Sequence, residues 1–134
     1  MRPVTVSNVE VVRQMFEGFR EEGIEGALAT LDENVVIEIP ADLSAEPDDY
    51  RGHDGARRYF AGFAGMLEDI RYEAIALIPA GECVIAQMRL SGRGVSSGID
   101  VDLEGFTLHD LADGKITRIR PYADLESALS AATG

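Results

Sequence analysis

An α+β fold follows from three features of this chain. Apolar residues recur at helical spacing in its first third, every stretch from Ile70 onward reads as strand, and Asp113-Gly114 turns the last two strands into a hairpin. Asp-Gly between two β-rich runs is a strong hairpin signal, because both turn positions need positive φ.

Taken in order, Ser7 is placed to cap a helix in which Val9, Val12, Phe16 and Phe19 share a face, and Gly23 is placed to end it. A short second helix runs through Ile24, Ala27, Leu28 and Leu31. The β-branched run Val35 to Ile39 is a strand stopped by Pro40. Asp42, Glu46, Asp48 and Asp49 then form an acidic, Pro-flanked stretch. It lacks the alternating oxygen ligands and central Gly of a calcium loop, so it reads as solvated. Tyr50-Arg51-Gly52-His53-Asp54-Gly55 leads into a helix over Asp54 to Leu67, with Ala56, Tyr59, Phe60, Phe63 and Leu67 on one face. Strands are expected at Ile70 to Ile78, Glu82 to Leu90, Ile99 to Leu111 and Ile116 to Tyr122. The joins between them, Pro79-Ala80-Gly81, the Gly-rich Ser91 to Gly98 and Asp113-Gly114, are short, which makes the sheet antiparallel. Leu125 to Leu129 adds one helical turn.

At 134 residues the chain is expected to form one domain, 1–134, and its 46% hydrophobic content argues for a packed core. The net charge of −12 argues against nucleic acid and against anionic membrane surfaces, whose binding rests on clustered Lys and Arg. No apolar run approaches the roughly 20 residues needed to span a bilayer, and Met1-Arg2-Pro3 begins no signal sequence, so a cytoplasmic protein is expected. Cys83 stands alone and reads as a small buried hydrophobe in a strand. His53 and His109 have no further ligands at metal spacing, and there is no phosphate-binding glycine loop. No metal, flavin or nucleotide cofactor is expected. His53 falls at a helix N-terminus, where its ring can satisfy backbone groups. Gly94-Val95-Ser96-Ser97-Gly98 has the letters of a serine-hydrolase nucleophile elbow, but a strand follows where the elbow needs a helix.

The strand stripes carry the functional question. Ile99, Val101 and Leu103 alternate with Asp100, Asp102 and Glu104, while Val84, Ala86, Met88 and Leu90 alternate with Cys83, Ile85, Gln87 and Arg89. Pairing the apolar faces places Arg89 and Gln87 among the three acids, which leaves half of the sheet dry and half charged.

The order helix, helix, strand, Tyr50 to Gly55 into a helix, and four strands, ending in Asp113-Gly114-Lys115-Ile116 with Arg120, Tyr122 and Asp124, resembles the nuclear transport factor 2-like superfamily. Within it the chain is most similar to SnoaL-like proteins, which include polyketide cyclases. The resemblance implies a cone-shaped barrel, a curved antiparallel sheet wrapped around N-terminal helices, with a largely apolar cavity and frequent dimerisation through the outer face. It also implies what the chain lacks. The base aspartate of ketosteroid isomerases falls on Ile39, their oxyanion-hole tyrosine on Met15 and their protonated aspartate on Phe106, none of which can serve. The aspartate that epoxide hydrolases carry on the final strand falls on Pro121.

The same alignments imply a cavity lined by Met15, Phe19, Ile39, Phe60, Phe63, Phe106 and Ile119. They turn the Gln87, Arg89, Asp102, Glu104 face inward and leave Val84, Met88, Val101 and Leu103 for a dimer face. Burial alone gives the reverse, and a bulge near Gly105 would decide between them. An inward cluster would make Arg89 and Glu104, with His109 on the final hairpin, the catalytic candidates, one carboxylate serving as general acid or base. The function expected is then a small-molecule pocket protein, a cofactor-independent acid/base enzyme of cyclase, isomerase or dehydratase type acting on a hydrophobic cyclic or polyketide-like molecule. A non-catalytic carrier and a protein-interaction module are the alternatives. A homodimer is expected in each case.

Overall fold

In the computed structural model, residues 7–39 and 49–133 are described. The acidic positions Asp42, Glu46 and Asp48 lie outside them. The chain forms α1 (Asn8–Glu22), α2 (Ile24–Leu28), β1 (Leu31–Glu38), β2 (Asp49–Arg51), α3 (Gly52–Ala64), β3 (Leu67–Ala80), β4 (Cys83–Gly94), β5 (Asp100–Ala112), β6 (Lys115–Tyr122) and α4 (Leu125–Thr133). Ser7 caps α1 by accepting the Glu10 N–H, and the Gly23 N–H closes the helix on Phe19 O at 2.9 Å. Asp113 and Gly114 have φ of 52° and 76°, the two positive values the β5–β6 hairpin was expected to need.

The six strands lie in the order β2-β1-β6-β5-β4-β3, so the sheet is open and carries two edges rather than closing into a barrel. It is also mixed. β1 pairs with β6 in parallel, through Leu31↔Ile116, Val36↔Arg118 and Ile37↔Ile119, along the edge of β6 that β5 leaves free. The remaining pairings are antiparallel. Register shifts between Glu68 and Arg71, between Ala74 and Ala76, and between Asp110 and Leu111 are bulges, which bend a sheet. Asp69, at φ 51°, sits in the first of these.

Several elements differ in extent from the sequence reading. α3 stops at Ala64, where Gly65 closes on Ala61 O, and Leu67 already pairs with Gly94, so the sheet takes residues assigned to the helix. β4 runs on to Gly94 for the same reason. α4 is a nine-residue helix rather than one turn, held by its apolar side against the outer face of the sheet. At the serine-rich turn β4 passes directly to β5, and Ser97 Oγ accepts the Ile99 N–H at 3.2 Å, so there is no nucleophile elbow.

The main core lies between α1, α2, α3 and the inner face of the sheet, filled by Met15, Phe16, Phe19, Phe60, Tyr72, Val84, Ala86 and Ile119. A smaller core of Ile85, Leu108 and Ala128 lies under α4 on the other face. α1 and α2 meet backbone to backbone. A Cβ added to Gly26 would stand 2.1 Å from Gly18 O, and one added to Gly18 would stand 2.4 Å from Gly26 O. No helix is long and apolar enough to cross a membrane among the described residues.

Candidate functional site

The pairing of β4 with β5 decides which side chains point inward. Register runs unbroken from Val84↔His109 to Arg93↔Asp100, so there is no bulge at Gly105 to reverse the parity. Val84, Ala86 and Leu90 are buried against the helices, which turns Ile85, Gln87 and Arg89 outward. Arg89 and Asp102 form a two-pronged ion pair on the outer face, Nε to Oδ1 at 2.9 Å and Nη2 to Oδ2 at 2.6 Å, with both side chains about half exposed at 48% and 53%. The Arg89 hydrogen bond holds the Asp102 carboxyl below its usual range. Glu104, opposite Arg89, is exposed as well.

This overturns the inward reading of Gln87, Arg89, Asp102 and Glu104. A charged row left to water needs no desolvation, whereas inside the cone it would need partners for every charge. Arg89 and Glu104 are therefore not placed to act in a cavity. Phe106 is also outside, packed with Tyr122 and Leu125 around the α4 cluster. Val84 and Met88 belong to the inner core and cannot form a dimer face. Glu104→Gln is expected to leave both thermal midpoint and ligand binding unchanged, which a melting scan and a binding titration would check.

Met15, Phe19, Ile39, Phe60 and Ile119, which the resemblance put around a cavity, lie in or against the inner core, and of these Phe19 lines a cleft. The Phe63 side chain lies outside what is described. Met15 and Phe60 are fully buried. Their neighbours form a run of rings: Phe16 stacks on Tyr72 at 4.7 Å, Phe19 meets Tyr72 at 5.5 Å and Phe60 at 5.8 Å, and Tyr59 meets Phe60 at 5.2 Å. Burial keeps the Tyr59 phenol protonated, pushing it up to about 12, and raises that of Tyr72 well above its ordinary value.

His109, the third catalytic candidate, points inward and is fully buried with Thr107, two residues earlier on the same face. Its Nδ1–H donates to the Val84 carbonyl at 3.2 Å, and its ring stands edge-on to Phe16 at 6.4 Å. Burial pushes its pKa down to about 4, against the weaker opposing effects of the Val84 and Thr107 carbonyls and the Asp110 carboxylate. His109 Nε2 and Thr107 Oγ1 have no hydrogen-bond partner among the described residues. Thr107 was missed in the sequence. Extending the Ile99, Val101, Leu103 stripe by its own period of two through Gly105 would have found both residues.

Two clefts lie between α1 and the edge strand β3, and neither is lined by His109 or Thr107. One, of about 420 Å³, is lined by Phe16, Tyr72, Ala74 and Leu77 with Arg13 and Glu17 at its rim. The other, of about 480 Å³, is lined by Phe19, Ile24, Ala64, Ile70 and Tyr72. Phe16 is common to the first cleft and to the surroundings of His109.

The remaining polar groups are structural. His53, at the start of α3, donates through Nε2 to the Leu31 carbonyl at 3.0 Å. On the outer face Arg118 holds Glu38 at 2.7 and 2.8 Å, and Arg120 approaches Asp110 at 3.6 Å. Cys83 is half-buried and donates its S–H to Asp110 at 3.2 Å, a polar setting rather than the buried apolar one expected. Burial and the Asp110 carboxylate push its thiol up to about 11, which disfavours the thiolate. No group of three His, Cys, Asp or Glu suited to a metal ion is present among the described residues.

A SnoaL-like domain profile matches residues 12–119, most of the chain. The chain belongs to the SnoaL-like family. Solved structures similar to this SnoaL-like domain agree on its fold. An NTF2-like protein from Burkholderia thailandensis superposes with a TM-score of 0.76 at 18% identity, covering 97% of this chain and 99% of that one. A putative SnoaL-like polyketide cyclase from Jannaschia gives 0.73 at 20% identity, covering 100% and 98%. TerC, co-crystallised with polyporic acid, gives 0.72 at 22% identity, covering 95% and 98%. At these identities the likeness concerns the fold alone. No curated protein matches this SnoaL-like domain.

Proposed function

We propose that this SnoaL-like domain binds a small hydrophobic molecule inside its cone and does not transform it. The observation that carries the reading is the pair His109 Nε2 and Thr107 Oγ1, buried polar atoms of the inner face with no hydrogen-bond partner among the described residues. Leaving a buried polar atom unsatisfied costs about 1–3 kcal/mol, and a bound molecule that supplies the missing partners recovers it. Phe16 lines the 420 Å³ cleft and its ring also stands edge-on to His109, so a shift of that ring is the movement that would extend the cleft toward Nε2.

Binding is favoured over catalysis by what the inner face offers. Besides the phenols of Tyr59 and Tyr72, the polar side chains buried among the described residues are Thr107 and His109, and no carboxylate is among them. An acid/base enzyme works best with a group whose pKa lies near the operating pH. His109, at about 4, accepts a hydrogen bond but takes up a proton poorly.

The test uses the full chain and a panel of neutral aromatic alcohols, followed by calorimetry and by mass spectrometry of the recovered compound. One-to-one binding with unchanged compound is expected, and a converted product would replace the carrier reading with the enzyme one. Thr107→Val should in parallel raise stability by about 1 kcal/mol, since the isosteric methyl removes an unpaired hydroxyl, while weakening binding. Denaturant unfolding of the variant checks this, and a loss of stability would mean that the hydroxyl is already satisfied.

A second copy of the chain is the partner we propose. The helices leave the far end of the β4–β5 pair uncovered, where Met66, Val95, Ile99 and Leu103 are 69%, 54%, 65% and 56% exposed. Burying such a patch favours association. Sedimentation at tens of micromolar should give a dimer that Leu103→Glu splits, and a wild-type monomer would refute it.

A further inference from the structure

We propose that the molecule held in the cone is a neutral aromatic alcohol or enol, and that its hydroxyl donates a hydrogen bond to His109 Nε2, which makes His109 the residue that sets specificity. This rests on the binding reading above and narrows it to a chemical class.

The Val84 carbonyl fixes the tautomer of His109. A carbonyl oxygen only accepts, so the His109 nitrogen facing it at 3.2 Å must carry the hydrogen. A neutral imidazole has a single N–H, which leaves Nε2 with a lone pair and no proton to give. The ring stays neutral near pH 7 because full burial disfavours its charged form. The free atom in the cone is thus an acceptor, and its ligand must bring a donor.

Charge narrows the class further. Phe16 faces the ring from α1, and Val84 and Ile119 flank His109 on β4 and β6. The nearest charge in sequence, Asp110, has its carboxylate with Cys83 and Arg120 on the outer face. Arg13, Glu17, Arg20 and Glu73 line the cleft beyond Phe16, and among the described residues no charged side chain is buried on the inner face beside Nε2, so a carboxylate or ammonium placed at Nε2 itself would be desolvated without compensation. A ketone or an ether would set its lone pairs against that of Nε2. A neutral hydroxyl fits.

The second polar atom is more permissive. Thr107 Oγ1 lies on the same face two residues away, about 7 Å along the strand. A rotating hydroxyl both donates and accepts, so it suits a second ligand oxygen of either kind. The aromatic character follows from the walls, since Phe16 stands edge-on to His109 and stacks on Tyr72. Rings in such surroundings pack well against another ring.

Three matched probes test the inference on the full chain: 2-naphthol, 2-methoxynaphthalene and 2-naphthoate. In wild type, 2-naphthol should bind about tenfold or more tighter than the ether, with the carboxylate weakest. His109→Phe should abolish the preference for the alcohol while keeping affinity for the ether. Equal affinity of alcohol and ether in wild type would overturn the donor requirement and leave the binding reading standing, whereas failure of all three probes would overturn both. Should His109→Phe not fold, long-range proton–nitrogen spectra of wild type decide the matter. They should give the Nδ1–H tautomer in the free protein and an Nε2 shift on adding 2-naphthol, and an Nε2–H tautomer would overturn the proposal.

Discussion

Stability should fall by about 2 kcal/mol between neutral pH and pH 5, and by about 3 kcal/mol at pH 4, through His109 alone. The folded ring has a pKa of about 4 against 6.5 for the free side chain. Between those values the unfolded chain takes up a proton that the folded chain refuses, so acid favours unfolding. The contribution is therefore complete above about pH 6.5 and is lost as pH falls toward 4. Carboxylates held below their usual range, such as Glu38 beside Arg118, add a loss at still lower pH and leave the upper part of the window to His109. Urea unfolding of wild type and His109→Phe at pH 7, 6 and 5 separates the two. The variant should lack the slope whatever its absolute stability, and parallel slopes would mean that the ring is not neutral and buried. The same measurement bears on function, because a ring that titrated near neutrality would no longer be a fixed acceptor.

Gly26→Ala should destabilise the protein by about 3 kcal/mol or more, and Gly18→Ala should act in the same direction. Alanine would normally favour a helix at either position. Here its Cβ would meet the opposing carbonyl at 2.1 or 2.4 Å, and the atom in the way is backbone rather than the end of a flexible side chain. α1 must then separate from α2 and shift Phe16 and Phe19, which α1 also carries into the core. The chemical denaturation midpoint reports the loss. A variant as stable as wild type would show that the helices pack further apart. The expected effect exceeds that of any ion pair on the outer face, because removing an exposed pair changes little while a backbone clash has nowhere to go.

Elements whose causes are local were legible in the amino-acid order. The Ser7 cap, the Gly23 stop, the Asp113-Gly114 turn and the order of helices and strands follow from short-range rules, and they led to the family that the 12–119 match bears out. The resemblance put Met15, Phe19, Phe60 and Ile119 toward the interior, and all four are buried there. Tertiary structure decided the rest. β5 carries apolar and polar residues on both faces, so its own pattern left open which side the cone encloses. Unbroken pairing with β4 settled it, sending Arg89, Asp102 and Glu104 to water and His109 and Thr107 to the interior. The parallel β1–β6 pair and the placing of α4 over Ile85 and Leu108 depend likewise on contacts between segments far apart in the chain. No local pattern encodes such contacts. Arg89 and Glu104 went to the outer face while His109 and Thr107 went to the inner one for one reason: a one-residue change in strand parity exchanges the two faces of a sheet.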